Sequence, residues 1–315
     1  AVDGATDPDN LRKEWVGAAI SITPTAVNEV GTPHTFTIGV SAVSSGASIT
    51  IGTVAYTLTP TPDSATLQCG AQLGTSGSAT KTCTLVINDA TAGVFTANAS
   101  VPVDIGGVHF DLATNGAGGS GAAVKTYVDA RLTLTPDGVN EVNTPHTVSA
   151  LVEINDGTHG WQPAPAGTGV NLSETGPGSI PASCTTGAAG TCTAQLTSSS
   201  AGVSIVHGSV TLSVLGEPIT RETNTAINTA AGGGADLTKR WVDGFVTITP
   251  NGVNAVGSPH TFTITATGIP SGAGAPTFVI TPTVTPTPTS SSSTCNAPTV
   301  AGDTATCTLT ISSDT

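Results

Sequence analysis

Apolar residues alternate with small polar ones in three widely separated stretches of this chain. Ile20 and Ile22, Leu132 and Leu134, and Val246 and Ile248 share one face, while Ser21, Thr133 and Thr247 take the other. That period of two marks strands with one buried and one wet face. Each run leads into a turn, TPTAVNEVGTP, TPDGVNEVNTP or TPNGVNAVGSP. Their Pro, Asn, Asp and Gly residues supply the fixed and positive φ angles of a tight reversal. A second alternating run follows: Phe36, Ile38, Val40; Val148, Ala150, Val152; Phe262, Ile264, Ala266. No stretch shows helical spacing.

These runs are three copies of one unit. Trp15, Tyr127 and Trp241 stand 112 and 114 positions apart, and fixed offsets from them carry Pro24, Pro136, Pro250, then Asn28, Asn140, Asn254, then His34, His146, His260. A period of that size is a domain repeated in tandem, each copy burying its own core and touching only its neighbours. Two further strand-like runs follow in the first two copies, Val94–Val103 and Val108–Thr114, then Val203–Val214 and Ile219–Thr225. About seven short strands per hundred residues predict an all-β chain of tandem Greek-key β-sandwich domains in an elongated array. The expected domains are 12–121, 122–235 and 236–315, with 1–11 the tail of a preceding repeat's linker. The middles of the copies, Ser44–Thr66, Asn155–Ser183 and Gly268–Thr294, vary most and read as loops. Thr315 aligns with Thr91 and Ser200, so the third domain is expected to lack its last two strands. Either the chain is a window on a longer array or another chain donates the strands. Ala1–Asn10 does not alternate and makes a poor donor, which favours the window.

Only 9% of residues are charged, and 21 acidic against eight basic residues give a net charge of −13. No basic face is available to neutralise phosphate, which argues against nucleic acid and anionic lipid as partners. The abundant Val, Ile and Thr argue against disorder. No apolar run approaches a membrane span, and AVDGATDPDN has no signal-peptide pattern. Six cysteines fall two per copy, Cys69 and Cys83, Cys184 and Cys192, Cys295 and Cys307, each second member opening a strand-like Cys-Thr run. The repeat selects a local disulfide in each copy across a turn, worth about 2–3 kcal/mol by loop closure. Separations of 14, 8 and 12 do not match zinc spacing. Disulfides place the chain in an oxidising compartment.

Gly-rich segments, Asn115–Gly121 and Ala230–Gly234, join the copies, and five of the eight basic residues, Arg12, Lys13, Lys125, Lys239 and Arg240, sit beside the recurring aromatic. Each junction is expected to be a specific interface, with Trp15, Tyr127 or Trp241 packed at the seam and Lys13, Lys125 or Arg240 paired to an acid such as Asp129 or Asp243. The alternative is ordinary strand-start residues on a flexible linker. The Pro-His-Thr histidine has no partner at ligand spacing and reads as an anchor for its turn, through the Asn six positions earlier. No Ser/His/Asp set, phosphate-binding Gly motif or repeated acidic pair is present, so neither catalysis nor a cofactor is expected. Asp3, Asp7, Asp9 and Asn10 could gather around Ca²⁺, but the matching segments of the other copies lack them, which favours a solvated linker. A Lys–Asn isopeptide staple is not expected, because Asn98 is replaced by His207 in the second copy. Asn98-Ala-Ser and Asn171-Leu-Ser fit the N-glycosylation triplet, and the run holding Thr285, Thr287 and Thr289 reads as an O-glycosylated stretch or an extended loop.

The segments YVDARLTLTPDGVNEVNTPHT, WVDGFVTITPNGVNAVGSPHTFTI and CTLVINDATAGVFTANASV resemble tandem Ig-like repeats of prokaryotic cell-surface proteins, and more broadly the bacterial Ig-like domains of the invasin and intimin class. The resemblance covers essentially the whole chain. It implies an Ig-like fold at the cell surface and does not imply a ligand. The expected function is structural and non-catalytic: part of an extracellular fibre, stalk or filament whose partners are other copies or further repeats. An adhesin binding a protein or glycan through the variable loops is the second reading, though those loops hold few aromatics beyond Tyr56 and Trp161. An accessory module of a carbohydrate-active enzyme is the third, and requires a catalytic domain on the same polypeptide.

Overall fold

The computed structural model describes residues 13–315. The Asp3, Asp7, Asp9 and Asn10 cluster and Arg12 lie outside the described residues. The chain forms two compact units: one takes residues up to Ala130 with Ile154–Gln162 and Leu212–Ile219, the other Arg131–Glu153, Pro163–Thr211 and Thr220–Thr315. It is an all-β Ig-like sandwich fold built of antiparallel sheets.

In the first unit, strands β1 (Gly17–Thr23), β2 (Ala26–Glu29), β3 (His34–Ile51), β4 (Ala55–Thr59), β5 (Ser64–Cys69), β6 (Leu73–Asn88), β7 (Gly93–Ile105) and β8 (Val108–Ala113) carry the first repeat. One sheet is β1–β3–β6–β5, with Ile20 opposite Val40 and Ile38 opposite Cys83. β3 then breaks register between Val43 and Ser48, and its end, Ile49–Ile51, joins β7 in the facing sheet with β4 and β8. Alternation puts Ile20, Phe36, Ile38, Leu85, Phe95 and Val101 into the core between the sheets. The middle region expected to be loop therefore holds the end of β3, all of β4 and the start of β5. Its Ser, Gly and Thr residues hide a strand whose inward positions are Ile49 and Ile51.

The second repeat supplies β9 (Ala123–Thr135), β10 (Gly138–Glu141), β11 (His146–Asn155), β12 (Trp161–Pro163), β13 (Gly169–Thr175), β14 (Ser183–Thr185), β15 (Thr191–Leu196), β16 (Gly202–Val214) and β17 (Glu217–Glu222). Here too the expected loop, Asn155–Ser183, carries strands, β12 and β13. A short helix α1 (Ala226–Ala230) follows, where no helix was expected; five residues are too few to leave a periodic signal. β18 (Leu237–Thr249), β19 (His260–Ile269), β20 (Ser290–Ser293), β21 (Thr299–Ala301) and β22 (Thr304–Ser312) complete the described chain. In the second unit β14–β13–β16–β18 form one ladder and β18–β19–β22 another, with β20 and β21 both on β22. Phe245, Val246 and Ile248 of β18 are exposed.

Three disulfides form, Cys69–Cys83, Cys184–Cys192 and Cys295–Cys307. Cys83 and Cys307 lie inside strands rather than at their starts. Each second cysteine faces the central strand at the same place: Ile38, Ala150 and Ile264.

The Gly-rich joints are stitched down. Gly118 and Ser120 exchange backbone hydrogen bonds with Ile20 of β1, and a Cβ on Gly119 would lie 2.1 Å from the Ala113 carbonyl oxygen. In the second repeat the buried Asn228 of α1 accepts from Leu132 N–H at 2.8 Å and donates to the Leu132 carbonyl at 2.9 Å. Only glycine fits against it at position 233, where a Cβ would meet its amide at 2.3 Å.

Candidate functional site

Two junctions, one in each unit, are built to one plan. The start of each repeat's first strand is hydrogen-bonded into the sheet of the repeat before it. Ala123–Tyr127 of β9 pairs antiparallel with Gly93–Ala97 of β7, while Lys125–Val128 pairs parallel with Ala26–Glu29 of β2. Leu237–Trp241 of β18 pairs with Gly202–Val206 of β16, and Lys239–Val242 with Gly138–Glu141 of β10. Strand alternation then divides the labour. Lysine and aromatic, two residues apart, face the preceding repeat's interior, and the residue between them faces the other way.

Tyr127 is 0% exposed, and its hydroxyl donates to the Ile87 carbonyl at 3.0 Å. Its ring meets Phe95 edge-on at 5.8 Å. Lys125 Nζ sits 4.7 Å from the ring centre, fully buried and without a hydrogen-bond partner. Burial pushes this amine down to about 8, against the opposing charge of Glu217. Burial and the nearby Asp89 push the Tyr127 hydroxyl up to about 12. Val128, Ala130, Val214 and Ile219 pack together beneath the strand, with Val27 of the preceding turn against them.

Trp241 is likewise 0% exposed, its indole N–H donating to Ser204 Oγ at 3.1 Å. Lys239 Nζ lies 5.3 Å from the ring centre and donates to Asn140 Oδ1 at 2.6 Å. Burial lowers its pKa as well. Asn140 uses its amide nitrogen on its own turn, donating to the Thr144 and Pro145 carbonyls. The backbone bonds also recur. Val30 and Val142 N–H donate to the carbonyls of Val128 and Val242, and Thr25 and Asp137 side chains accept from Val124 and Thr238 N–H.

Neither Lys125 nor Lys239 is hydrogen-bonded to an acid, contrary to the pairing expected from the sequence. Lys239 takes an amide oxygen and Lys125 takes the ring face, which spares each seam a buried carboxylate. Asp129 and Asp243 instead accept from the N–H of the next residue. Arg240 turns outward and donates to the Ser271 carbonyl at 2.9 Å, leaving Lys239 as the seam cation. Trp15 is 82% exposed, with Lys13 Nζ 5.4 Å from its ring. The histidines do anchor the turn, but through the Pro24, Pro136 and Pro250 carbonyls rather than the asparagine. Sequence reading missed Asn140 and Ser204 as seam residues; the signal available was the Asn at a fixed offset in all three turns.

Asn98 Oδ1 is held by Thr114 Oγ1 and Asn115 Nδ2, while Asn171, Thr285, Thr287 and Thr289 are exposed. His207, in the place of Asn98, bonds Asp236. Among the described residues there is no group of three or more His, Cys, Asp or Glu suited to a metal, and no helix long and apolar enough to cross a membrane.

No family model matches the chain, and no curated protein sequence matches it. Among solved structures it is similar to the D00–D0 domain of intimin, at 12% identity and a TM-score of 0.36 over 65% of this chain and 97% of that one. It is also similar to the D0–D1 domain of intimin, at 14% and 0.23 over 70% and 94%. The C-terminal domain of the Streptococcus agalactiae antigen I/II polypeptide BspA aligns at 8% and 0.29 over 71% and 100%.

Proposed function

We propose that this chain is a structural, non-catalytic extracellular repeat protein, part of a cell-surface fibre, stalk or filament. Its working part is the seam by which each repeat completes the one before it. The observation that carries this reading is that Tyr127 and Trp241, at equivalent positions, are both fully buried by the preceding repeat's sheet, with a buried lysine against each ring. A flexible linker has no reason to bury an amine twice, because desolvating an ammonium is costly unless it fixes a geometry. A strand shared by two sheets passes tension from one repeat to the next through backbone hydrogen bonds. Disulfides within each repeat support an oxidising, extracellular setting and limit how far a repeat can extend.

Electron microscopy of native material tests this reading. Filaments with an axial period of one to three repeats support it. Separate rods that engage a glycan or protein array through the variable loops would replace it with the adhesin reading.

A further inference from the structure

One broad face of the first repeat is uncharged. Strands β1, β3, β6 and β5 bury alternate residues in the core, and the residues between them point to solvent. Those outward positions fall within residues 17–23, 35–43, 78–88 and 64–68, about eighteen of them at one residue in two. All are Thr, Ser, Gly, Ala, Val, Asn or Gln. Register sets them in rows. Thr23, Thr37, Thr84 and Gln68 cross the sheet in line, and Ala19, Ser41 and Thr80 make a second row. The outward charges of this sandwich stand on the other sheet, where Asp104, His109 and Asp111 project from β7 and β8.

The pattern recurs in the later repeats. Thr147 and Ser149 lie opposite Gln195 and Thr193 in the second. In the third, Thr249, Thr263 and Thr308 form one row across β18, β19 and β22, and Thr247, Thr265 and Thr306 the next.

Charge and area decide what such a face can hold. A copy of this chain carries a net charge of −13, so two copies repel wherever their acidic surfaces meet, and this face is where the repulsion is least. A basic partner would be drawn to the acidic surfaces instead. One outward position covers about 4.8 Å by 6.7 Å of sheet, so the first repeat alone offers about 600 Å². A standard interface takes about 800 Å² from each partner, which puts this face in the range of weak, reversible contacts. A partner matched to a face that returns with every repeat must itself be periodic, as a second copy is.

We infer that this face is a lateral docking surface for the same face of a second copy of the chain, so that arrays lie side by side. The inference rests on the structural-array reading and adds its sideways contact. The two faces meet isologously, sheet on sheet. Threonine methyls pack across the gap while hydroxyls bond to one another, as Thr261 and Thr310 Oγ1 do at 2.8 Å within one sheet.

Sedimentation of the full chain over a wide concentration series, at low and high salt, tests it with Thr37→Glu and Thr37→Lys. Thr37 is exposed on the central strand β3, so neither change disturbs the core. The wild type should gain mass with concentration, and more so in high salt, which screens the net repulsion and breaks no ion pair. Each variant alone places like charges across the contact and should raise the dissociation constant at least about tenfold. An equimolar mixture of the two should pair more tightly than either alone. A wild type that stays monomeric, association that weakens with salt, variants that associate like the wild type, or a mixture that gains nothing would overturn the inference. A monomeric wild type that co-sediments with insoluble cellulose or chitin, and loses this in both variants, would overturn it in favour of a polysaccharide surface. A monomeric wild type beside native filaments that run singly would remove the lateral contact and leave the array reading standing.

Discussion

Replacing Lys125 by Met is the sharpest test of what holds the first seam. The lysine is fully buried, its amine makes no hydrogen bond, and burial moves it from 10.5 to about 8. At about 1.4 kcal/mol per pK unit, that shift means charged Lys125 costs the folded state about 3 kcal/mol. The ring contact at 4.7 Å returns about 1–2 kcal/mol of this. Met keeps the length and apolar stem while removing the charge, so Lys125→Met should stabilise the seam by about 1–2 kcal/mol at neutral pH. The sign follows from linkage. Below about 8 the amine is protonated in both states and the full penalty applies; between about 8 and 10.5 the unfolded chain binds more protons than the folded one, so stability rises with pH; above 10.5 the penalty is gone. The advantage of Met should therefore shrink as pH climbs through that window. Tyr127, held up to about 12, stabilises the fold below its ordinary value of 10.0 and loses that contribution as pH rises through 12, but it does so in both chains and drops out of the difference. Pulsed hydrogen exchange of peptides from Ala123–Thr135 across a urea series reads this seam without assuming that the whole chain unfolds in one step. A lower midpoint for Lys125→Met at neutral pH, or a gap that does not change with pH, would refute the reasoning.

At the second seam, Asn140→Ala strands the buried Lys239 amine and should cost about 1.5–3 kcal/mol, whereas Asn28→Ala, at the matching position of the first seam where the lysine has no hydrogen bond to lose, should cost less; urea midpoints of the two variants compare them directly. Tyr127→Phe removes the buried hydroxyl's bond to the Ile87 carbonyl and should cost about 1–2 kcal/mol, while Trp241→Ala empties a fully buried site and should cost about 3–5 kcal/mol, both read as loss of exchange protection in the paired strands. Asn228→Ala removes the acceptor of Leu132 N–H, while the Leu132 carbonyl keeps Gly234 N–H, and should cost about 1–3 kcal/mol, with faster exchange at Leu132 as its local signature.

Much of this molecule was legible along the chain because strands announce themselves by alternation. Ile20 and Ile22, Phe36 and Ile38, and their second-copy counterparts Leu132, Leu134, Val148 and Ala150 mark the buried face, whereas Val246 and Ile248 of the third copy alternate in the same way and are exposed. The recurrence of Tyr127 and Trp241 falls at the two junctions described, while Trp15 of the same series is exposed, and one cysteine pair per copy marks the staples. What alternation cannot carry is who pairs with whom beyond the next turn. The placement of Ala123–Tyr127 between β2 and β7, the choice of Lys239 over Arg240 as the seam cation, and the ring and amide oxygen that receive the two amines all depend on groups about 37 to 99 positions away, such as Ser204 and Asn140. Neighbouring residues on a strand point to opposite faces, so Lys239 and Arg240 look equivalent in sequence until the sheet on each side is known. Tertiary structure alone decided that a strand start is shared between repeats, because backbone hydrogen bonds across a junction leave no mark on side-chain composition.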